Sequence, residues 1–258
     1  MTSLLLLAPR INETGLDLLT CARRRGVRAH TAVRWEVPAE LAGLRPAHLY
    51  GGPLFADVAA GRLGVAPLEP AVDWLAGLPG ELLGRQVECA TLAEARRLRR
   101  PAFLKPAADK LFAAAVHTDG SGLPGPDALE DDTPVLISDV VAFAREYRLF
   151  VLDGTVRAAS RYAVDGGLAV SPEVPPDALA FAADVLAAGG LPSAVVVDVG
   201  RLADGTWAVV ETNPAWASGG YACDSNAVLD VVLRAAGPRD ALAPGDAGFA
   251  RPVPEVVR

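Results

Sequence analysis

The sequence predicts a mixed α/β fold, with a small N-terminal α/β layer followed by α+β subdomains built on antiparallel sheets. Three observations point there. Strand-like and helix-like patterns alternate through residues 3–50, beginning with the buried-strand run Ser3–Ala8. Two long β-rich pairs further on are joined by Asp153-Gly154 and Asp204-Gly205, a dipeptide suited to the positive φ angles of a two-residue hairpin turn. The pattern changes near Arg85, where a joint rich in Gly, Pro and Leu ends. Residues 1–84 therefore read as an N-terminal domain with its joint, and 85–237 as a second domain with subdomains of about 85–140 and 141–237. Residues 238–258 read as a loosely held tail.

In chain order, Ser3–Ala8 leads to a helix over about Glu13–Arg25, a strand around Val27–Trp35 and another at Ala47–Tyr50. Gly51-Gly52-Pro53 reads as a turn, and Leu54–Gly84 holds one helix around Pro70–Ala76. Thr91 and Glu94 form a capping box for a helix ending near Arg100. Strands at Ala102–Lys105 and Phe112–His117 flank the loop that carries Lys110, and Pro134–Val140 is a further strand. The first hairpin follows. A helix over Pro176–Ala188, stopped by Gly189, separates it from the second. A last helix over Ser225–Ala236 has Asp224 as its cap and Gly237-Pro238 as its stop.

The totals exclude several classes. With 51% apolar residues in 258, the chain has ample core. The run Leu4–Ala8 is too short to span a bilayer and lacks a secretory leader's pattern, so no membrane partner is expected. A formal charge of −7 argues against nucleic acid. Cys21, Cys89 and Cys223 stand far apart, which fits a reducing cytoplasm better than disulfides or a zinc site. Oligomeric state is open.

The composition also has an imbalance: 22 arginines against 2 lysines, both lysines inside the segment Lys105–Lys110. A chain that otherwise uses Arg for surface cations has two places where a compact ammonium serves better than a planar guanidinium, unless the clustering is chance.

The two hairpins carry the remaining chemistry. With a two-residue turn at Asp204-Gly205, Asp198 lies opposite Glu211, and Asn213 shares their face. Val195, Val197, Val199, Ala208 and Val210 take the buried side. Hard oxygen ligands on a rigid strand pair suit Mg²⁺ beside phosphates; a solvated strand end is the alternative. The same turn rule at Asp153-Gly154 sets Glu146 opposite Arg161 and Arg148 opposite Ala159, with Arg157 on that face and Tyr162 on the other. That cationic face reads either as exposed ion pairs or as a polyphosphate surface.

Taken together, the blocks FLKPAADKLF, ISDVVAFAREYRLFVLDG, VVVDVG and VVETNPAWASGGY resemble the ATP-grasp superfamily, over roughly Arg85–Asp230. The likeness is to its clade described by one arginine and two lysines. It implies two α+β subdomains clamping ATP between antiparallel sheets. Lys105 and Lys110 would then contact the phosphates and Glu146 the ribose. Ser138, Asp139 and Val140 would form the hinge whose backbone meets adenine. Arg148 would reach the phosphates or the intermediate, and Arg161 would either orient the ribose contact or bind phosphate. Asp198, Glu211 and Asn213 would hold one or two Mg²⁺ ions, with Mn²⁺ as the alternative. The loop after Lys105 is Ala-rich where many relatives have a Gly-rich one, and Val196 stands where many have an arginine. Trp216 reads equally as a wall of the acceptor pocket or as a buried anchor, and Gly219-Gly220 as backbone open to a bound group.

The resemblance implies an ATP-dependent carboxylate–amine ligase acting through an acyl phosphate, with an amino acid or small peptide as substrate. A small-molecule kinase and a non-catalytic ATP-binding protein are the alternatives. Turnover is expected to depend on Arg148 far more than folding does.

Overall fold

The computed structural model describes residues 3–253. The N-terminal layer is a parallel three-stranded sheet of β1 (Leu4–Leu7), flanked by β2 (Arg28–Thr31) and β3 (Ala47–Tyr50), with α1 (Glu13–Arg24) between β1 and β2. Asn12 caps α1 by accepting the Gly15 N–H at 2.8 Å, an arrangement whose loss costs about 1 kcal/mol in comparable helices. All four leucines of β1 are buried, as a parallel central strand requires.

Two corrections apply to the joint. Pro53–Leu63 is an α-helix, α2, with Gly52 as N-cap, Pro at its first position and Gly64 in the left-handed conformation at its end. The Gly-Gly-Pro reading as a plain turn missed this Pro-first, Gly-last pattern. The helix expected at Pro70–Ala76 is absent; a short 3₁₀ turn at Leu75–Gly77 stands there. After α2 comes β4 (Val65–Pro67), and α3 (Gly80–Leu83) leads out of the joint.

The next sheet is antiparallel, ordered β5-β8-β6-β7, from β5 (Val87–Thr91), β6 (Ala102–Pro106), β7 (Ala115–His117) and β8 (Pro134–Ser138). The Thr91–Glu94 capping box is present, but its helix α4 is one turn, Leu92–Ala95. A five-stranded antiparallel sheet follows, ordered β11-β10-β9-β12-β13. Its members are β9 (Phe143–Leu152), β10 (Thr155–Val164), β11 (Gly167–Ser171), β12 (Ala194–Leu202) and β13 (Trp207–Asn213). Helix α5 (Pro176–Ala187) crosses between β11 and β12, and α6 (Ser225–Ala235) follows β13.

Both faces of β12 are covered. Ala194 and Val196 join a core shared with the N-terminal sheet, α2 and α6, whereas Val195, Val197 and Val199 join one with α5 and the joint. A third, smaller core lies under the four-stranded sheet.

The segment after α6 is not loose within the described residues. It forms β14 (Ala236–Pro238) against β4, and Leu68 bridges Ala250. Asp246 is buried, accepting the Ser193 N–H at 2.7 Å and the Ser193 hydroxyl at 2.5 Å. Pro, Ala and Gly content suggested a tail because the anchoring groups are a few polar side chains and backbone bonds. Among the described residues no helix is long and apolar enough to cross a membrane.

Candidate active site

Asp198 does face Glu211 across β12 and β13, by a different path from the expected one. The loop is three residues long: Leu202 N–H donates to Thr206 O at 2.8 Å and Gly205 takes φ +92°. That shifts the register by one. A bulge between Asp198 and Val199 shifts it back, leaving Val210 as the extra residue. The two offsets cancel at the acids. They do not cancel nearer the loop, so Val209, rather than Ala208 or Val210, packs with Val199. The bulge also frees two carbonyls, which Arg85 takes: Nη1 donates to Val209 O at 2.7 Å and Nη2 to Val210 O at 3.2 Å.

The β9–β10 hairpin has the expected two-residue turn, with Asp153 at φ +49° and Gly154 at +71°. Two bulges then move the register. Arg148 faces Ser160, Glu146 faces Ala163, and Arg161 faces Tyr147. Arg161 is thereby turned to the face opposite Arg148, and its Nε donates to Ala169 O at 3.1 Å. The roles expected of Arg161 beside Glu146 and at phosphate are corrected on this geometry. Tyr162 takes the place beside Glu146, donating its hydroxyl to Oε2 at 2.6 Å.

Around these strands two ion pairs form. Arg148 grips the fully buried Asp198 bidentately, Nε to Oδ1 at 2.9 Å and Nη2 to Oδ2 at 2.6 Å. Lys105 on β6 reaches across from the other sheet to Glu211, Nζ to Oε2 at 2.6 Å. Asn213 donates to Glu211 Oε1 at 2.8 Å. Arg148 also donates to Gly219 O at 3.2 Å and lies over two stacked rings, 5.6 Å from Tyr162 and 5.1 Å from Tyr221.

The protonation states follow from these contacts. Burial pushes the Asp198 carboxyl up to about 6, against the pull of Arg148. Burial alone would lower the Arg148 guanidinium, but Asp198 outweighs it and holds the cation charged. For Glu211 burial opposes ionisation, while Lys105, Asn213 and Arg148 together bring it below the ordinary value. Burial and then the nearby carboxylates keep the Tyr162 phenol protonated, so it donates to Glu146.

A cleft of about 860 Å³ opens between the two antiparallel sheets, lined by Lys105, Lys110, Arg148, Glu211, Asn213 and Tyr221, among others. Lys110 is exposed and makes no ion pair among the described residues. Ser138, Asp139, Val140 and Glu146 do not line this cleft. Ser138 is buried against Arg85, and the Asp139 N–H already donates to Gln86 O at 3.1 Å.

Family 2 of the ATP-grasp clade named for one arginine and two lysines matches residues 82–231. The chain belongs to that family. The ATP-grasp fold extends to solved structures of low identity. D-alanine–D-alanine ligase from Bacillus anthracis superposes with TM-score 0.53 at 14% identity, covering 91% of this chain and 97% of that one. That ligase has also been solved with ATP. L-amino acid ligase from Bacillus licheniformis gives 0.54 at 13%, covering 91% and 70%. D-cycloserine synthetase DcsG gives 0.51 at 17%, covering 88% and 98%. No curated protein matches the sequence. These neighbours are ligases and a synthetase by name, and at such identities they share the fold alone with this ATP-grasp domain.

Within the ATP-grasp domain, Trp216 is the buried anchor, its Nε1 donating to Leu68 O at 2.8 Å. It does not line the cleft. The loop behind it is tied to the N-terminal layer: Tyr50 donates to Ser218 O at 2.9 Å and Gly220 N–H donates to the Thr14 hydroxyl at 2.7 Å. Sequence reasoning missed Tyr162, Tyr221 and Arg85. The signal for Tyr221 was present, an aromatic directly after Gly219-Gly220. It is built at φ +48°, a strained setting for a non-glycine residue.

Proposed function

We propose that this ATP-grasp domain is an ATP-dependent carboxylate–amine ligase acting on an amino acid or small peptide. One observation supports it above the rest: Lys105 and Glu211, from two different sheets, meet across a cleft that also holds Lys110, Arg148 and Asn213. Cations and hard oxygen ligands converge there, and no nucleophilic side chain is needed.

Glu211 and Asn213 present hard oxygens to the cleft and fit Mg²⁺ by their chemistry, whereas Asp198 lies fully buried behind Arg148 and would join them only on release from that pair. No group of three His, Cys, Asp or Glu clusters for a metal among the described residues. However, Mg²⁺ bound with a nucleotide takes only one or two carboxylates and completes its shell with phosphate oxygens. When bound, the ion would supply positive charge that offsets the charge of the phosphates. Lys105 and Lys110 would neutralise the remaining phosphate charge, each as a compact ammonium. Arg148 would exchange part of its grip on Asp198 for the transferred group, steadied by Tyr162 and Tyr221. Glu146 and Ser138–Val140 do not line the cleft, so no ribose or adenine contact is assigned to them; Tyr162, which does line it, holds Glu146 behind it. Positioning and electrostatics then supply the catalysis. The γ-phosphoryl group passes to a carboxylate, ADP leaves, and an amine displaces phosphate from the acyl phosphate.

Incubation with Mg-ATP and a panel of amino acids and short peptides should release ADP in step with a new amide. ADP release that no acceptor stimulates, or a stable phosphorylated product, would overturn the ligase reading.

A further inference from the structure

The loop between β6 and β7 carries Lys110, and it is anchored from outside the matched family domain. Arg251, near the end of the described chain, is largely buried and touches three carboxylates from three separate segments. Its Nε donates to Asp57 of α2 at 2.8 Å, its Nη1 to Glu69 at 2.7 Å, and its Nη2 to Asp109 Oδ2 at 3.2 Å. Asp57 and Glu69 belong to the N-terminal layer and joint, whereas Asp109 is the residue directly before Lys110. Arg251 is itself placed by backbone bonds: its N–H donates to Pro67 O at 2.7 Å, next to the Leu68–Ala250 bridge. Glu69, Asp109 and Lys110 all line the cleft.

On the reading of that cleft as the nucleotide site, we propose that Arg251 is a positioning residue for Lys110. It clasps Asp109 and so holds the Ala-rich loop across the cleft, with the Lys110 ammonium free of ion pairs among the described residues. A planar guanidinium with several fixed donors suits this, because it can hold Asp109 while remaining tied to Asp57 and Glu69. In this chain an ionic clasp from the C-terminal segment would do the loop-setting work that a glycine-rich sequence does not supply.

The test is a double-mutant cycle on Mg-ATP binding by the full chain, followed by calorimetry. Arg251→Gln and Lys110→Ala should each raise the Kd by about tenfold, and together by little more than either alone, because both act through one ammonium. Strictly additive losses, or an unchanged Kd in Arg251→Gln, would overturn the clasp. Because Arg251→Gln also cuts the Asp57 and Glu69 pairs, Asp109→Ala provides the variant that severs only the loop contact. It should leave thermal unfolding unchanged and speed amide exchange in residues 107–114; unchanged exchange there would also overturn it. A wild-type chain that takes up no Mg-ATP would instead bring down the nucleotide reading, and the clasp's role with it.

Discussion

Arg148 closes a buried bidentate pair with Asp198, and that pair changes what its removal should do. The expectation that losing Arg148 harms turnover far more than folding treats it as a site residue only. Deleting one partner of a buried pair leaves the other charge uncompensated, which in known cases costs roughly 3–5 kcal/mol. Arg148→Met should therefore lower stability by about that much in urea unfolding, and adding Asp198→Asn should restore most of it. A single variant as stable as wild type would show that Asp198 is not held ionised by Arg148. At this scale the sequence was informative about residue types and less so about orientation. Asp198, Glu211, Asn213, Lys105 and Arg148 could be found because carboxylates and rare lysines stand out against apolar strands. Arg161 could not be placed, because its face depends on a bulge at Arg157 that no residue type announces.

At the scale of elements, the hairpins were legible from alternation and their Asp-Gly turns, and α1, α5 and α6 from caps and periodicity. Correct pairing of Asp198 with Glu211 nevertheless arose from two offsets of one residue that cancel, a three-residue loop and the Val210 bulge. The bulge has a partner in Arg85, which joins the carbonyls of Leu83, Val209 and Val210 to the Ser138 hydroxyl. It thus ties the four-stranded sheet to the five-stranded one at the end of β8. Arg85→Met would leave these acceptors unpaired, and a loss on the order of 3 kcal/mol is expected, since each buried orphan costs ~1–3 kcal/mol. Chemical denaturation measures it. A change below about 0.5 kcal/mol, the usual range for an inconsequential surface site, would mean that water replaces the guanidinium there.

For the molecule as a whole, the cleft depends on parts far apart in the chain. The N-terminal layer holds the loop after β13 through Tyr50 and Thr14, and the C-terminal segment is fastened to Ser193 before β12 through Asp246 and to the joint through Arg251. Asp246→Ala would leave the Ser193 N–H without its acceptor, and a loss of roughly 2 kcal/mol is expected in thermal or urea unfolding. An unchanged transition would restore the picture of a loose tail. These long-range ties were invisible in the sequence because each is one polar side chain whose partner lies tens of residues or more away. The two-sheet clamp was visible because hairpin periodicity and motif order are local. The central claim is that the cleft takes a magnesium-bound triphosphate between the Lys105–Lys110 side and the Glu211–Asn213 side, which Asp198 and Arg148 back. Calorimetric titration of the wild-type chain, Lys105→Ala and Glu211→Ala with ATP, with and without magnesium, tests it most directly. Saturable uptake that needs magnesium and is lost in both variants is the expected result; no uptake by the wild-type chain, or uptake indifferent to both substitutions, would contradict it.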